Sequence, residues 1–227
     1  MRQIDIRGVI VPNDDQWVYD FFCIEATSPK IVGDVLTAAG GEDVTVVINS
    51  CGGDVTAGQE IYTLLRSYSG RVVIQIHSMA ASAAAVIAMA RESEISSVAQ
   101  LMIHNVSTCA QGDYHDMEHA AEVLVNSNNA LASAFCDKTG RAREEILAMM
   151  DRETWLTAQQ AVEYGFVDRI MTPTAENGQK PLQLAASLGG LLPQKAIAYA
   201  KAHIRDNTAA AKAKAEYDFL ILEGKAK

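Results

Sequence analysis

Apolar and polar positions alternate through Ile4-Asp5-Ile6-Arg7 and then give way to the wholly apolar Val9-Ile10-Val11. This is the pattern of a strand running into a core, over Ile4 to Val11. Ser28-Pro29 sets a capping side chain before a proline at the first helical position, which predicts a helix to about Ala39, stopped by Gly40-Gly41. Val44 to Ile48 is a β-branched run that predicts a strand buried on both faces. Asn49-Ser50-Cys51-Gly52-Gly53-Asp54 reads as a turn, with Asp54 capping a helix to about Tyr68. Arg71 to Ile76 predicts a strand, Met79 to Ala90 a buried helix of small residues, and Glu94 to Val98 and Leu101 to His104 short strands. A long helix is expected from about Asp113 to Lys138, and a second, after Gly140, near Ala142 to Met150. Thr157-Ala158-Gln159-Gln160 is a capping box for a short helix ending at Gly165, and Phe166 to Met171 reads as a last strand.

Strand–helix repeats followed by helices imply an α/β fold with parallel strands and right-handed crossovers. Beyond Pro173 the character changes to a linker-like stretch and then Ala/Leu- and Ala/Lys-rich segments. Two parts are therefore expected: a body over residues 1–172 and a helical C-terminal extension over 173–227. The extension carries a net charge of +3 and the body −12. A body this acidic is a poor match for nucleic acid, because phosphate contacts need clustered Lys and Arg. The longest weakly polar run, Met79 to Ala90, is 12 residues and mostly alanine, too short to span a bilayer. Charges interrupt the first residues, so no secretory signal is expected there. Four cysteines (Cys23, Cys51, Cys109, Cys136) show no C-x-x-C pairing, which fits a reducing cytoplasm better than a structural zinc site.

Several residues have both a plain and a chemical reading. Gly52-Gly53 makes a tight turn, or lets a ligand approach backbone N–H groups that hold an oxyanion. Ser82, inside an alanine run, is a packing residue, or a nucleophile at the start of a helix that needs an adjacent base. Of the histidines, His77 ends a strand, His115 and His119 share a face of the long helix, and His203 lies in the extension. His104 ends a short apolar strand, at the carboxyl edge of the sheet where open α/β folds place their sites. His115 and His119 have metal-ligand spacing, but no third ligand is evident. Asp151 and Glu153, just before Trp155, are solvated charges, or the carboxylate that orients an imidazole.

The conjunction is more specific. Asn49-Ser50-x-Gly52-Gly53-Asp54-Val55-x-Ala57-Gly58, Ala80-Ala81-Ser82-Ala83, Leu101-Met102-Ile103-His104-Asn105 and Trp155-Leu156-Thr157-Ala158-x-x-Ala161-Val162-Glu163-Tyr164-Gly165-Phe166-Val167-Asp168 occur in that order. Over residues 1–172 the chain resembles the proteolytic subunit of the Clp protease (ClpP), more particularly its phage and prophage relatives, the head maturation proteases.

The resemblance implies a ClpP/crotonase-like fold of repeated β-β-α units, with the helix at about Asp113 to Lys138 as a projecting handle. It implies a serine-type endopeptidase that acts on peptide or protein substrates without a metal or organic cofactor. Ser82 matches the nucleophile, His104 the base, and the N–H groups of Gly53 and Ala83 the oxyanion hole. Glu153 falls where the family's triad aspartate stands, and Asp151 is its rival. Homo-oligomerisation is implied, as a heptameric ring or double ring, with an ATP-driven unfoldase or a capsid protein as partner. Cys51 replaces the family's proline before the Gly pair, which predicts a looser turn, and the extension has no counterpart in the housekeeping enzyme. Two alternatives remain: a ring scaffold whose triad is vestigial or self-processing, and a crotonase-type acyl-CoA enzyme.

Overall fold

The computed structural model describes residues 2–172; the expected extension, His203 included, lies outside them. The first half runs β1 (Arg2–Ile10), α1 (Gln16–Phe21), β2 (Ala26–Thr27), α2 (Pro29–Ala39), β3 (Val44–Gly53), α3 (Val55–Ser67) and β4 (Val72–Ala81). Then follow α4 (Ala83–Ala88), β5 (Glu92–Ile95), β6 (Gln100–Ile103), α5 (Tyr114–Thr139), α6 (Arg143–Asp151), β7 (Thr154–Thr157), α7 (Ala158–Glu163) and β8 (Arg169–Ile170). The strands form one sheet in the order β2-β1-β3-β4-β5-β8, with β6 pairing β4 off this path and β7 pairing β6. Every pair is parallel except β6 with β7, so the expected parallel sheet carries one antiparallel edge.

The core follows from the pattern. Ile4, Ile6 and Ile10 of β1, Val46 and Ile48 of β3 and Ile74 and Ile76 of β4 are fully buried with Val32 of α2 and Ile61 and Leu65 of α3. Each such side chain contributes about 1.5–3 kcal/mol on removal from water. All six residues of α4 are buried, which only small side chains permit at the centre of the molecule. A second cluster packs Val18 and Tyr19 of α1 on Val9 and Val11.

Two local readings are corrected. The Asn49–Gly53 segment is not a turn but the end of β3, since Gly52 and Gly53 pair with Val9 and Ile10. Met79–Ala81 is not helical but the end of β4, since it pairs with Gln100–Met102 of β6, and helix begins only at Ala83. In both places ladder bonds to distant strands outweigh local glycine and alanine preferences. Phe166 to Met171 shrinks to the two residues of β8, while α1, β2 and β7 have no counterpart in the sequence pattern.

Caps differ more in detail than in place. Asp54 accepts from the Ala57 N–H at 2.7 Å, and Thr157 and Gln160 form their capping box as expected. Ser28 stands at the N-cap of α2 without a side-chain bond, and Asn13 Oδ1 accepts the Lys30 N–H at 2.7 Å instead. Helix α5 opens with a capping box of Asp113 and Asp116 and closes at Gly140 in the left-handed conformation. Its 26 residues span about 39 Å. Within it only Leu131, Ala132, Ala134 and Phe135 are buried, so its first half projects from the body. No helix among the described residues is long and apolar enough to cross a membrane.

Candidate active site

Strand β4 changes partner along its length. Val73–Ile76 pair with β5, and Met79–Ala81 pair with β6. The second pairing sets Ala81 beside Met102, so the residues that follow, Ser82 and His104, leave the sheet at the same edge. The Ser82 N–H donates to the Met102 carbonyl at 3.0 Å, which locks the two exits together. Ser82 then turns sharply into α4 with φ +57° and ψ −124°. A side-chain-bearing residue adopts such a conformation only under constraint from its surroundings, and such strain clusters at functional sites. Its hydroxyl caps no helix N–H and lies 2.8 Å from His104 Nε2.

The Gly pair packs directly on this turn. A Cβ at Gly52 would lie 2.7 Å from both the Ala81 carbonyl oxygen and Ser82 Cβ and 3.0 Å from the Ala83 N, and Gly52 has φ +94°. A Cβ at Gly53 would lie 2.1 Å from the Ile10 carbonyl oxygen. Glycine is thus required twice, once for the approach of β3 to the serine and once for its pairing with β1. Ala83 opens α4, where a first-turn N–H has no intrahelical acceptor.

Beside Ser82 and His104 lies a pocket of about 110 Å³. Val55, Val86, Val106, Leu131 and Phe135 supply its apolar wall, and Gly53 and Ser107 its rim. Leu131 and Phe135, one helical turn apart, bring the buried end of α5 into the site. Their spacing was visible in the sequence, but nothing there told which cavity they would line.

The two carboxylates stand near but apart from the imidazole. Glu153, in the left-handed conformation at φ +50°, accepts from Trp155 Nε1 at 3.0 Å. Asp151 accepts from Asn105 Nδ2 at 2.8 Å, next in the chain to His104. Among the described residues no carboxylate is hydrogen-bonded to His104. Asn105 Oδ1 is buried without a partner.

The other histidines lie elsewhere. His77 sits on β4 against Gln75 Oε1 at 3.3 Å, and burial, aided by the Arg7 charge, lowers its pKa. His115 and His119 are on the exposed start of α5, and no group of three metal-ligating side chains occurs among the described residues. Cys51 is part of β3, in extended strand and not in a loose turn. What the sequence did not reveal are the contacts made by Trp155, Asn105 and Asn128, polar residues that carry no periodic signal.

Similarity to known proteins bears on the family and the fold. A family model described as Clp protease matches residues 25–174. The chain is 34% identical over 134 residues to an ATP-dependent Clp protease proteolytic subunit of Bacteroides fragilis, covering 58% of this chain and 65% of that one. It is 33% identical over 134 residues to the ATP-dependent Clp protease proteolytic subunit 2 of Tropheryma whipplei, covering 58% and 74%. A proteolytic subunit from a second Bacteroides fragilis strain is also 34% identical over 134 residues, and the chain spans only 65% and 61% of these two relatives' own length, less than two thirds. Among solved structures, a point mutant of ClpP1 from Listeria monocytogenes superposes with a TM-score of 0.62 at 23% identity, covering 76% of this chain and 92% of that one. That likeness establishes the ClpP/crotonase-like fold.

Proposed function

This chain belongs to the Clp protease family, and from that premise we propose that it is a serine peptidase cutting peptide bonds through an acyl-enzyme on Ser82. The observation that carries the reading is the 2.8 Å contact between Ser82 Oγ and His104 Nε2, formed at a strained strand-to-helix turn. A serine hydroxyl is a weak nucleophile until an adjacent base accepts its proton.

In the proposed reaction His104 Nε2 takes the Ser82 proton as Oγ attacks the scissile carbonyl carbon. The Gly53 and Ala83 N–H groups hold the oxyanion that develops; one such donor is typically worth about 2.7–4 kcal/mol of barrier. The imidazolium gives its proton to the leaving amine, and a water activated by the same ring releases the acyl group. Glu153 orients the ring once its carboxylate has left the Trp155 indole. Asp151, held by Asn105, is the rival for that part.

The pocket supports a preference for an aliphatic residue on the acyl side of the cut bond. Burying a Leu or Val there is favourable by about 1.5–3 kcal/mol, whereas a carboxylate enters it unpaired. A fluorogenic peptide with Leu before the scissile bond is expected to exceed its Asp counterpart by about 10- to 100-fold in kcat/KM. Ser82→Ala is expected to be inert on both. Equal rates on the two peptides remove the pocket from the account. Intact mass showing one cut in the chain itself and no turnover of any peptide replaces the peptidase by a self-processing scaffold.

We propose further that the protein works as a closed homo-oligomer, with the projecting half of α5 packed between copies.

A further inference from the structure

A catalytic base must be held to a few tenths of an ångström, yet His104 stands at the start of an irregular segment: β6 ends at Ile103 and no helix resumes before Tyr114. Two hydrogen bonds pin the residues that follow the ring. Asn105 Nδ2 donates to Asp151 Oδ1, on the last residue of α6, at 2.8 Å. The Val106 N–H donates to Asn128 Oδ1, on α5, at 2.7 Å. The two helices are joined in turn. Arg143, the first residue of α6, donates through Nη1 to the Asn129 carbonyl at 2.7 Å and through Nη2 to Ser133 Oγ at 3.1 Å. The result is a closed frame: α6 spans from α5 to Asn105, and Asn128 returns from α5 to Val106.

The sequence of α5 carries a cost at this point. Asn126-Ser127-Asn128-Asn129 is a run of residues that compete with the helix backbone for hydrogen bonds. Ser127 Oγ and Asn129 Nδ2 do turn back, to the Val123 and Val125 carbonyls. Asn128 turns outward, and its acceptor oxygen takes a backbone N–H two residues beyond the base. Val106 and Ser107 also line the pocket beside Ser82.

We infer that Asn128 is a positioning residue for His104. It touches neither the reacting atoms nor the substrate pocket and acts through the Val106 backbone. The inference rests on the reading of His104 as the base. It also gives Asp151 a structural part, as the acceptor that holds Asn105.

The test uses the full-length protein, a fluorophosphonate probe and thermal unfolding. Asn128→Ala removes the acceptor at a position where alanine suits the helix, and Asn128→Asp keeps an oxygen in place. The alanine variant is expected to label at Ser82 about 10- to 100-fold more slowly, the aspartate variant to recover most of the rate, and both to unfold near the wild-type temperature. Arg143→Ala, at the far corner of the frame, provides an independent arm and is expected to slow labelling in the same direction. Wild-type rates in both alanine variants, while Ser82→Ala takes no label, overturn the positioning role and leave the peptidase reading standing. Equal slowing by Asn128→Ala and Asn128→Asp also overturns it, because the oxygen is then not what matters. Label persisting on Ser82→Ala defeats the peptidase reading itself.

Discussion

Ser82, Gly52 and Glu153 share a backbone property: each has positive φ, and only one of them is glycine. At Ser82 the conformation aims the hydroxyl at His104, and at Gly52 it lets β3 reach the serine without a clash. At Glu153 it accompanies a carboxylate bonded to Trp155 and not to the imidazole. A non-glycine residue in this region costs on the order of 1–3 kcal/mol, which the surrounding structure has to offset. Glu153→Gln keeps the shape and removes the charge, and is expected to lower kcat/KM by at least about 100-fold, since mispairing a triad imidazole costs up to about 10⁴. Asp151→Asn still offers Asn105 an acceptor oxygen and is expected to cost far less. Steady-state kinetics of the two variants decide the matter, and the opposite ranking transfers the acid role to Asp151.

Among the elements, the helices bounded by capping and stop residues were legible in the sequence. The helices at Pro29–Ala39 and Val55–Ser67, the long helix and the Thr157 capping box stand where those signals put them. The ends of β3 and β4 were not legible, because Asn-Ser-Cys-Gly-Gly and Met-Ala-Ala hold strand through pairing with β1, with β6 and with each other. Those two ends form the candidate site, so local propensity failed at the residues proposed to carry the chemistry. The motif order nevertheless located Ser82 and His104, since the spacing of chemical groups does not depend on naming the element between them. Helix α5 raises a separate expectation. Met117 and Val125, two helical turns apart, stay exposed on its projecting half, and Val123 stays exposed on the opposite side; copies packed on both sides of the helix would cover them. Sedimentation velocity at micromolar concentration is expected to show one discrete multimer. Replacing Val123 and Val125 by Asp is expected to shift it to smaller species. A wild-type monomer contradicts the proposed assembly.

Across the described residues, the sheet and its buried α4 form a base from which two strand ends bring a hydroxyl and an imidazole to one edge. Helices α5 and α6 close over that edge, supplying Leu131 and Phe135 to the pocket and the frame around His104. The acidic body, −12 over residues 1–172, agrees with a substrate other than nucleic acid. The arrangement has meaning as an active site only if residue 82 reacts as an activated serine. The most direct measurement is the rate of fluorophosphonate labelling, with the modified peptide identified by mass spectrometry. Label is expected on Ser82, none on Ser82→Ala, and labelling of His104→Ala slower by about 10²- to 10⁴-fold. Label elsewhere in the chain, or an unchanged rate in His104→Ala, contradicts the active-site reading.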